Sequence, residues 1–170
     1  MLTIEQYEKD KLKRDTSEYS DILAQEVLAR GFCIRIKGRG QSMYPLIQTG
    51  DMLLIEPKKA AELHIGDVIL YRRPWHTYVV HRLIAKRSPA TLITKGDNRI
   101  YNDSPVPAEE ILGKVIQIEK NGRRITLTGK SSHLLAWIIA RFACNRNRVW
   151  TRLWRHLGRL WWFFSERQTP

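Results

Sequence analysis

Residues 31–130 predict a mainly β domain, flanked by an N-terminal helix and a C-terminal amphipathic helical tail. Three observations carry that reading. Short runs rich in β-branched residues recur through the segment, each bounded by Gly, Pro, Asp or Asn, which is how strands separated by turns are punctuated. Asn121-Gly122 lies between two of these runs, and a pair that tolerates positive φ at both positions is a strong hairpin signal. On either side of the segment the apolar residues switch to helical spacing.

In chain order, residues 1–30 are charged, and Ile22, Leu23, Val27 and Leu28 fall on one helical face. They predict an amphipathic helix over 18–30 packed on the domain, with 1–15 loosely ordered. Thirty residues are too few for a helix-turn-helix domain and a linker. The predicted strands are Phe32–Ile36, Met52–Ile55, Asp67–Tyr71, Tyr78–Ile84, Thr91–Thr94, Lys114–Ile118 and Arg124–Leu127. Gly50-Asp51 and Gly66-Asp67 each precede an apolar run and read as turns entering strands.

Residues 131–170 hold seven Arg, no Lys and a single acid, Glu166. Trp150, Leu153, Trp154, Leu157, Leu160, Trp161 and Phe164 share one side of a helical projection, and Arg148, Arg152, Arg155 and Arg159 the other. A Trp-rich face against an Arg-rich face is the pattern of a helix lying in a membrane interface. Trp150, Trp154, Trp161, Arg152, Arg155 and Arg159 are therefore the expected peripheral membrane contacts. The competing readings are docking on the domain or on a second copy, and nucleic-acid binding, the least favoured of the three.

The chain has 170 residues, the size of one domain with short appendages, and a net charge of +12 that suits an anionic partner or a solvated basic surface. Its two cysteines, Cys33 and Cys144, are too few for a disulfide framework and too far apart for a metal pair. The five His are scattered, so neither a metal nor a cofactor is expected. Charges in the first ten residues argue against a secretory leader. The longest apolar stretch, Leu134 to Ala140, is too short to span a bilayer. The expected location is cytoplasmic, with peripheral membrane contact through the tail.

Gly40-Gln41-Ser42-Met43-Tyr44-Pro45 places a hydroxyl in a Gly-flanked turn, and Val79-Val80-His81-Arg82-Leu83-Ile84 places an imidazole on a predicted strand. Lys95-Gly96-Asp97-Asn98 and then Asp103 supply carboxylates. A serine hydroxyl becomes a nucleophile when a neighbouring base takes its proton. Imidazole does this near neutral pH, best when a carboxylate holds its tautomer. Taken singly, each motif is as readily a turn or a packed core residue; their joint occurrence favours a serine hydrolase. His64, His76, His133 and His156 have no comparable setting, and Lys95 reads as support for its loop.

Taken in order, Ser-Met-x-Pro, Gly-Asp, Gly-Asp-Val-Ile, Val-Val-His-Arg and Thr-Lys-Gly-Asp-Asn resemble type I signal peptidases, in the branch that has His in place of the Lys base. The likeness runs from about Gly38 to Gly113. It implies a coiled antiparallel β-sheet or partial barrel of the signal peptidase/LexA-like type with a shallow peptide cleft. Ser42 would be the nucleophile, His81 the general base, and Asp103 or Asp97 the orienting carboxylate, Asp103 being preferred. Met43 and Pro45 would shape the serine turn and substrate pocket. Gly40 and Gln41, also at the substrate side, depart from the family's usual hydroxyl residue and Gly. No N-terminal membrane anchor is read, so the expected role is a specialised processing peptidase acting on a peptide or precursor protein. A LexA-like self-cleaving regulator would need a Lys base, a DNA-binding domain and an Ala-Gly cleavage site. His81 stands at the base position, and no Ala-Gly pair occurs. The remaining alternative is a non-catalytic peptide-, membrane- or nucleic-acid-binding module on the same fold.

Overall fold

The computed structural model describes residues 22–73 and 77–128. Helix α1 covers residues 22–29. It ends in a Schellman arrangement, with the Gly31 N–H on the Leu28 carbonyl and the Phe32 N–H on the Val27 carbonyl. Gly31 takes φ 86°, a left-handed conformation that costs a residue without Cβ nothing. The apolar stripe is narrower than expected. Leu28 is buried and Val27 half-buried, whereas Ile22 and Leu23 stand exposed. Phe32 is spent on closing the helix, so the first strand starts two residues later than the sequence pattern predicts.

Eight strands follow: β1 Ile34–Lys37, β2 Met52–Pro57, β3 Val68–Arg73, β4 Thr77–Ser88, β5 Thr91–Lys95, β6 Val106–Pro107, β7 Ile111–Lys120 and β8 Arg123–Thr126. They pair antiparallel in the order β1-β2-β7-β3-β4-β5-β6, with β8 also on β7. The fold is therefore the mainly antiparallel β class that the sequence predicts. All seven predicted strands are present; the two-residue β6 is too short to leave a period-two pattern. Asn121 (φ 50°) and Gly122 (φ 76°) make the two-residue turn between β7 and β8.

Two apolar clusters lie on opposite faces of the sheet, and β3 separates them. Val68 and Leu70 pack with Leu28, Met43, Ile47, Leu53 and Val115. Ile69 and Tyr71 pack with Leu63, Leu83, Leu92 and Ile111. A strand covered on both faces must be apolar throughout, hence the unbroken Val68-Ile69-Leu70-Tyr71.

Both Gly-Asp turns are built alike. Asp51 Oδ2 accepts the Gln48 N–H, and Asp67 Oδ2 accepts the His64 N–H, each at 2.8 Å. Each carboxylate also meets a lysine of β7, Lys120 at 3.4 Å and Lys114 at 2.7 Å respectively. The long strand β7 thus ties both turns to the middle of the sheet.

The tail 131–170 and the segment 1–15 lie outside the described residues, as do His76, His133 and His156. Among the described residues no helix is long and apolar enough to cross a membrane.

Gly113 lies hard against the paired strand β2. A Cβ there would sit 2.4 Å from the Glu56 carbonyl oxygen and 2.9 Å from Ile55 Cγ2. Because the obstacle is backbone of the paired strand, Gly113→Ala is expected to destabilise the protein by about 2–3 kcal/mol. Urea unfolding checks this, and a midpoint equal to that of the wild type would refute the close approach.

Candidate active site

Ser42 sits half-buried in the turn segment between β1 and β2, where Gly40 (φ 86°) opens the bend and the Tyr44–Pro45 peptide bond is cis. Gly40 is clasped by Thr49, whose Oγ1 accepts its N–H at 3.0 Å and donates to its carbonyl at 3.2 Å. Met43, beside the serine, points into the first core with 3 % exposure and anchors the turn. Pro45 is half-buried and its carbonyl accepts Lys120 Nζ at 3.2 Å. Gln41 is exposed, and its carbonyl accepts Tyr44 N–H at 3.2 Å.

His81 comes from β4. Alternation along the strand puts Val79, His81 and Leu83 on one face and Arg82 on the other. His81 Nε2 lies 3.0 Å from Ser42 Oγ, and Nδ1 lies 2.5 Å from Asp103 Oδ2. With the ring proton on Nδ1 shared with the carboxylate, the Nε2 lone pair faces the serine hydroxyl. His81 is buried, so its ring is held by packing as well as by these bonds.

Asp103 arrives on the β5–β6 loop and caps three neighbouring strands. Its Oδ2 also accepts Thr94 Oγ1 of β5 at 2.7 Å and the Tyr71 hydroxyl of β3 at 3.2 Å. Its Oδ1 accepts Arg73 Nη2 at 2.7 Å, and its N–H donates to the Thr94 carbonyl. Burial opposes ionisation of this carboxyl. Hydrogen bonds from His81 and Thr94, with the positive charge of Arg73, outweigh burial and hold it below the usual carboxylate range. Burial also pushes the Tyr71 hydroxyl up, against the opposing Thr94 bond and with the Asp103 charge adding to the rise. Tyr71 therefore stays a donor.

Asp97 is engaged elsewhere. Its two oxygens take Arg82 Nε at 2.8 Å and Nη2 at 2.6 Å, and Arg82 Nη1 donates to the Gly66 carbonyl at 2.8 Å. Both side chains are buried, so Asp97 ties the 96–99 loop to the reverse face of β4. From that loop the Asn98 N–H donates to the Ser42 carbonyl at 2.8 Å, and Asn98 Nδ2 to the Gln41 carbonyl at 3.1 Å. Gly96 makes the approach fit: a Cβ there would lie 2.7 Å from the Ser42 carbonyl oxygen and 3.0 Å from His81 Nε2.

Ser42, His81 and Asp103 are thus brought into one chain of contacts. Lys95 is buried on β5, and His64 is exposed. Tyr71, Arg73, Thr94 and Asn98 had no assigned role in the sequence reading. Thr94 and Asn98 flank the Gly-Asp pair in its own motif, the one signal that could have drawn them in. A cavity of about 870 Å³ reaches Tyr71 and Asp103 and is bordered by Arg72, Arg73 and Glu110; Ser42 and His81 do not line it.

Two outcomes follow from this geometry. Gly96→Ala is expected to push the loop off the serine turn and lower any Ser42-dependent turnover by at least about tenfold, with a modest loss of stability; unchanged turnover would refute the close packing. Asp103, held low in the fold, contributes stability that is present above the unfolded carboxyl pKa of about 4 and lost as pH falls through its lower folded value. The urea stability gap between wild type and Asp103→Asn should be full near pH 5 and close on acidification below about pH 4. A gap that widens with acid would contradict the arrangement.

The Peptidase S24-like family matches residues 4–116. Among curated proteins, the chain is similar to signal peptidase complex catalytic subunits Sec11 of three fungi. It is 28 % identical to that of Pyrenophora tritici-repentis over 89 residues, covering 44 % of this chain and 51 % of the relative. It is 32 % identical to that of Sclerotinia sclerotiorum over 88 residues, again 44 % and 51 %. It is 35 % identical to that of Neurospora crassa over 72 residues, 39 % and 42 %. The chain spans about half the length of these relatives. With the family match extending over most of the chain and the antiparallel sheet beneath it, this protein belongs to the Peptidase S24-like family.

Proposed function

We propose that this chain is a serine endopeptidase of signal peptidase type that cleaves a peptide or precursor protein, with residues 31–130 as the catalytic unit. The observation that carries the reading is the continuous line from Ser42 Oγ through both nitrogens of His81 to Asp103. The likeness to Sec11 catalytic subunits supports a precursor protein as substrate.

Ser42 Oγ attacks the scissile carbonyl carbon while His81 Nε2 takes the hydroxyl proton. Asp103 holds the imidazole in the tautomer that leaves Nε2 free and stabilises the cation that forms. The backbone N–H of Ser42 is the proposed donor to the developing oxyanion; a donor of this kind lowers a barrier by roughly 3–4 kcal/mol. As the amine leaves, His81 returns the proton to its nitrogen. Water then attacks the acyl carbon, His81 again taking the proton and passing it to Ser42 Oγ as the ester bond breaks and the carboxylic acid product leaves.

The Trp- and Arg-rich tail would bring this unit to lipid through Trp150, Trp154, Trp161, Arg152, Arg155 and Arg159. Trp insertion needs no anionic headgroup, so tail binding to neutral vesicles is what separates this role from nucleic-acid binding.

Covalent labelling tests the mechanism. A fluorophosphonate or a small-residue peptide aldehyde is expected to add its mass to Ser42 in the wild type and to leave Ser42→Ala and His81→Ala unmodified. Peptide turnover in either variant should fall by about a thousandfold or more. Hydrolysis that persists in folded Ser42→Ala would refute the assignment.

A further inference from the structure

We propose that Arg73 is a positioning residue of the Ser42–His81–Asp103 array, clamping Asp103 so that one carboxylate oxygen alone faces His81. The inference rests on the serine-peptidase reading and adds a residue that this reading does not require. Arg73 lies on β3, two positions beyond Tyr71 and so on the same face, next to the strand that carries His81. Its Nη2 donates to Asp103 Oδ1 at 2.7 Å and to the Tyr71 oxygen at 3.1 Å, and its guanidinium carbon lies 5.7 Å from the Tyr71 ring centroid. Asp103 is 11 % exposed while Arg73 is 41 % exposed, so the arginine reaches inward from a solvated position.

The torsion of an aspartate carboxylate about its last bond is broad and two-fold, so an unheld Asp103 could exchange its oxygens or tilt from the imidazole plane. Arg73 holds Oδ1, while Thr94 and Tyr71 hold Oδ2 beside His81. The arginine also acts by charge. The groups bonded to Asp103 are Tyr71 and Arg73 from β3, His81 from β4 and Thr94 from β5. Glu110, the nearby acid bordering the same cavity, is occupied by Arg72 at 2.7 and 3.3 Å. Arg73 is the permanent cation in that set, and it offsets the negative charge that would otherwise draw a proton onto the His81–Asp103 pair. Removing Arg73 therefore takes away a cation that lies beside Asp103 and helps to hold its carboxyl low.

The test uses the full chain as wild type, Arg73→Met and Arg73→Lys, with two readouts. The first is the imidazole Nδ1–H proton resonance of His81 followed against pH by NMR, assigned by its loss in His81→Ala. The second is kcat and KM on a peptide substrate. In Arg73→Met the titration midpoint is expected to move up by roughly half a unit to one unit. Its kcat should fall about ten- to a hundredfold with KM unchanged, because the base is misplaced and substrate contacts are kept. Arg73→Lys should restore most of the midpoint, since it keeps the charge, and part of kcat, since it lacks the planar fork. An unmoved midpoint in Arg73→Met overturns the inference. So does a higher KM with kcat and midpoint unchanged, which would make Arg73 a substrate contact in the cavity. The resonance needs no turnover: absence of Ser42-dependent hydrolysis in the wild type would refute the peptidase reading, while the midpoint would still decide the place of Arg73.

Discussion

The contact between Ser42 and His81 depends on an ion pair that touches neither residue's side chain. Arg82 and Asp97, both buried, join β4 to the 96–99 loop through two parallel bonds, and a third Arg82 bond fixes the Gly66 turn. The loop in turn grips the serine turn through Asn98. Ser42 is thereby located relative to the strand that bears His81, although the two residues are 39 apart in sequence. Removing one member of a buried pair strands the other charge and typically costs about 3–5 kcal/mol. Pressure to retain this pair is therefore pressure on stability and on geometry together.

The two faces of β4 divide the labour. On one face Tyr71, His81 and Thr94, from three adjacent strands, converge on Asp103 and keep it ionised in a mostly buried setting. On the other face Arg82 and Asp97 neutralise one another. The sequence places two carboxylates six residues apart near one histidine, and the fold gives each a cation or imidazole of its own.

Local patterning made much of this readable in advance. The seven strand runs, the Asn121-Gly122 turn and the Ser42, His81 and Gly-Asp motifs all rest on nearest-neighbour chemistry. The rest depends on pairing. Tyr71 reads as the end of a strand, and Arg73 lies beyond it, until β3 is set beside β4. Thr94 reads as a strand residue until the chain folds back to bring Asp103 over it. Spacing alone could not decide between Asp97 and Asp103, because both lie within loop reach of His81 and only the third dimension separates their partners. The helix stripe was overdrawn for a similar reason, since periodicity names a face but not how much of it the sheet can cover.

Adjacent positions on β4 carry opposite duties, and this has a consequence for folding fidelity. A slip of one residue in the pairing of β4 with β3 would exchange the faces of the whole strand. The imidazole would turn toward Asp97 and the guanidinium toward the serine. It would also invert the apolar alternation of Val79 and Leu83 against the second core. A misregistered chain would thus lose its hydrophobic burial and the His81–Ser42 contact in the same step. A misaligned chain would instead expose apolar side chains that the native register buries.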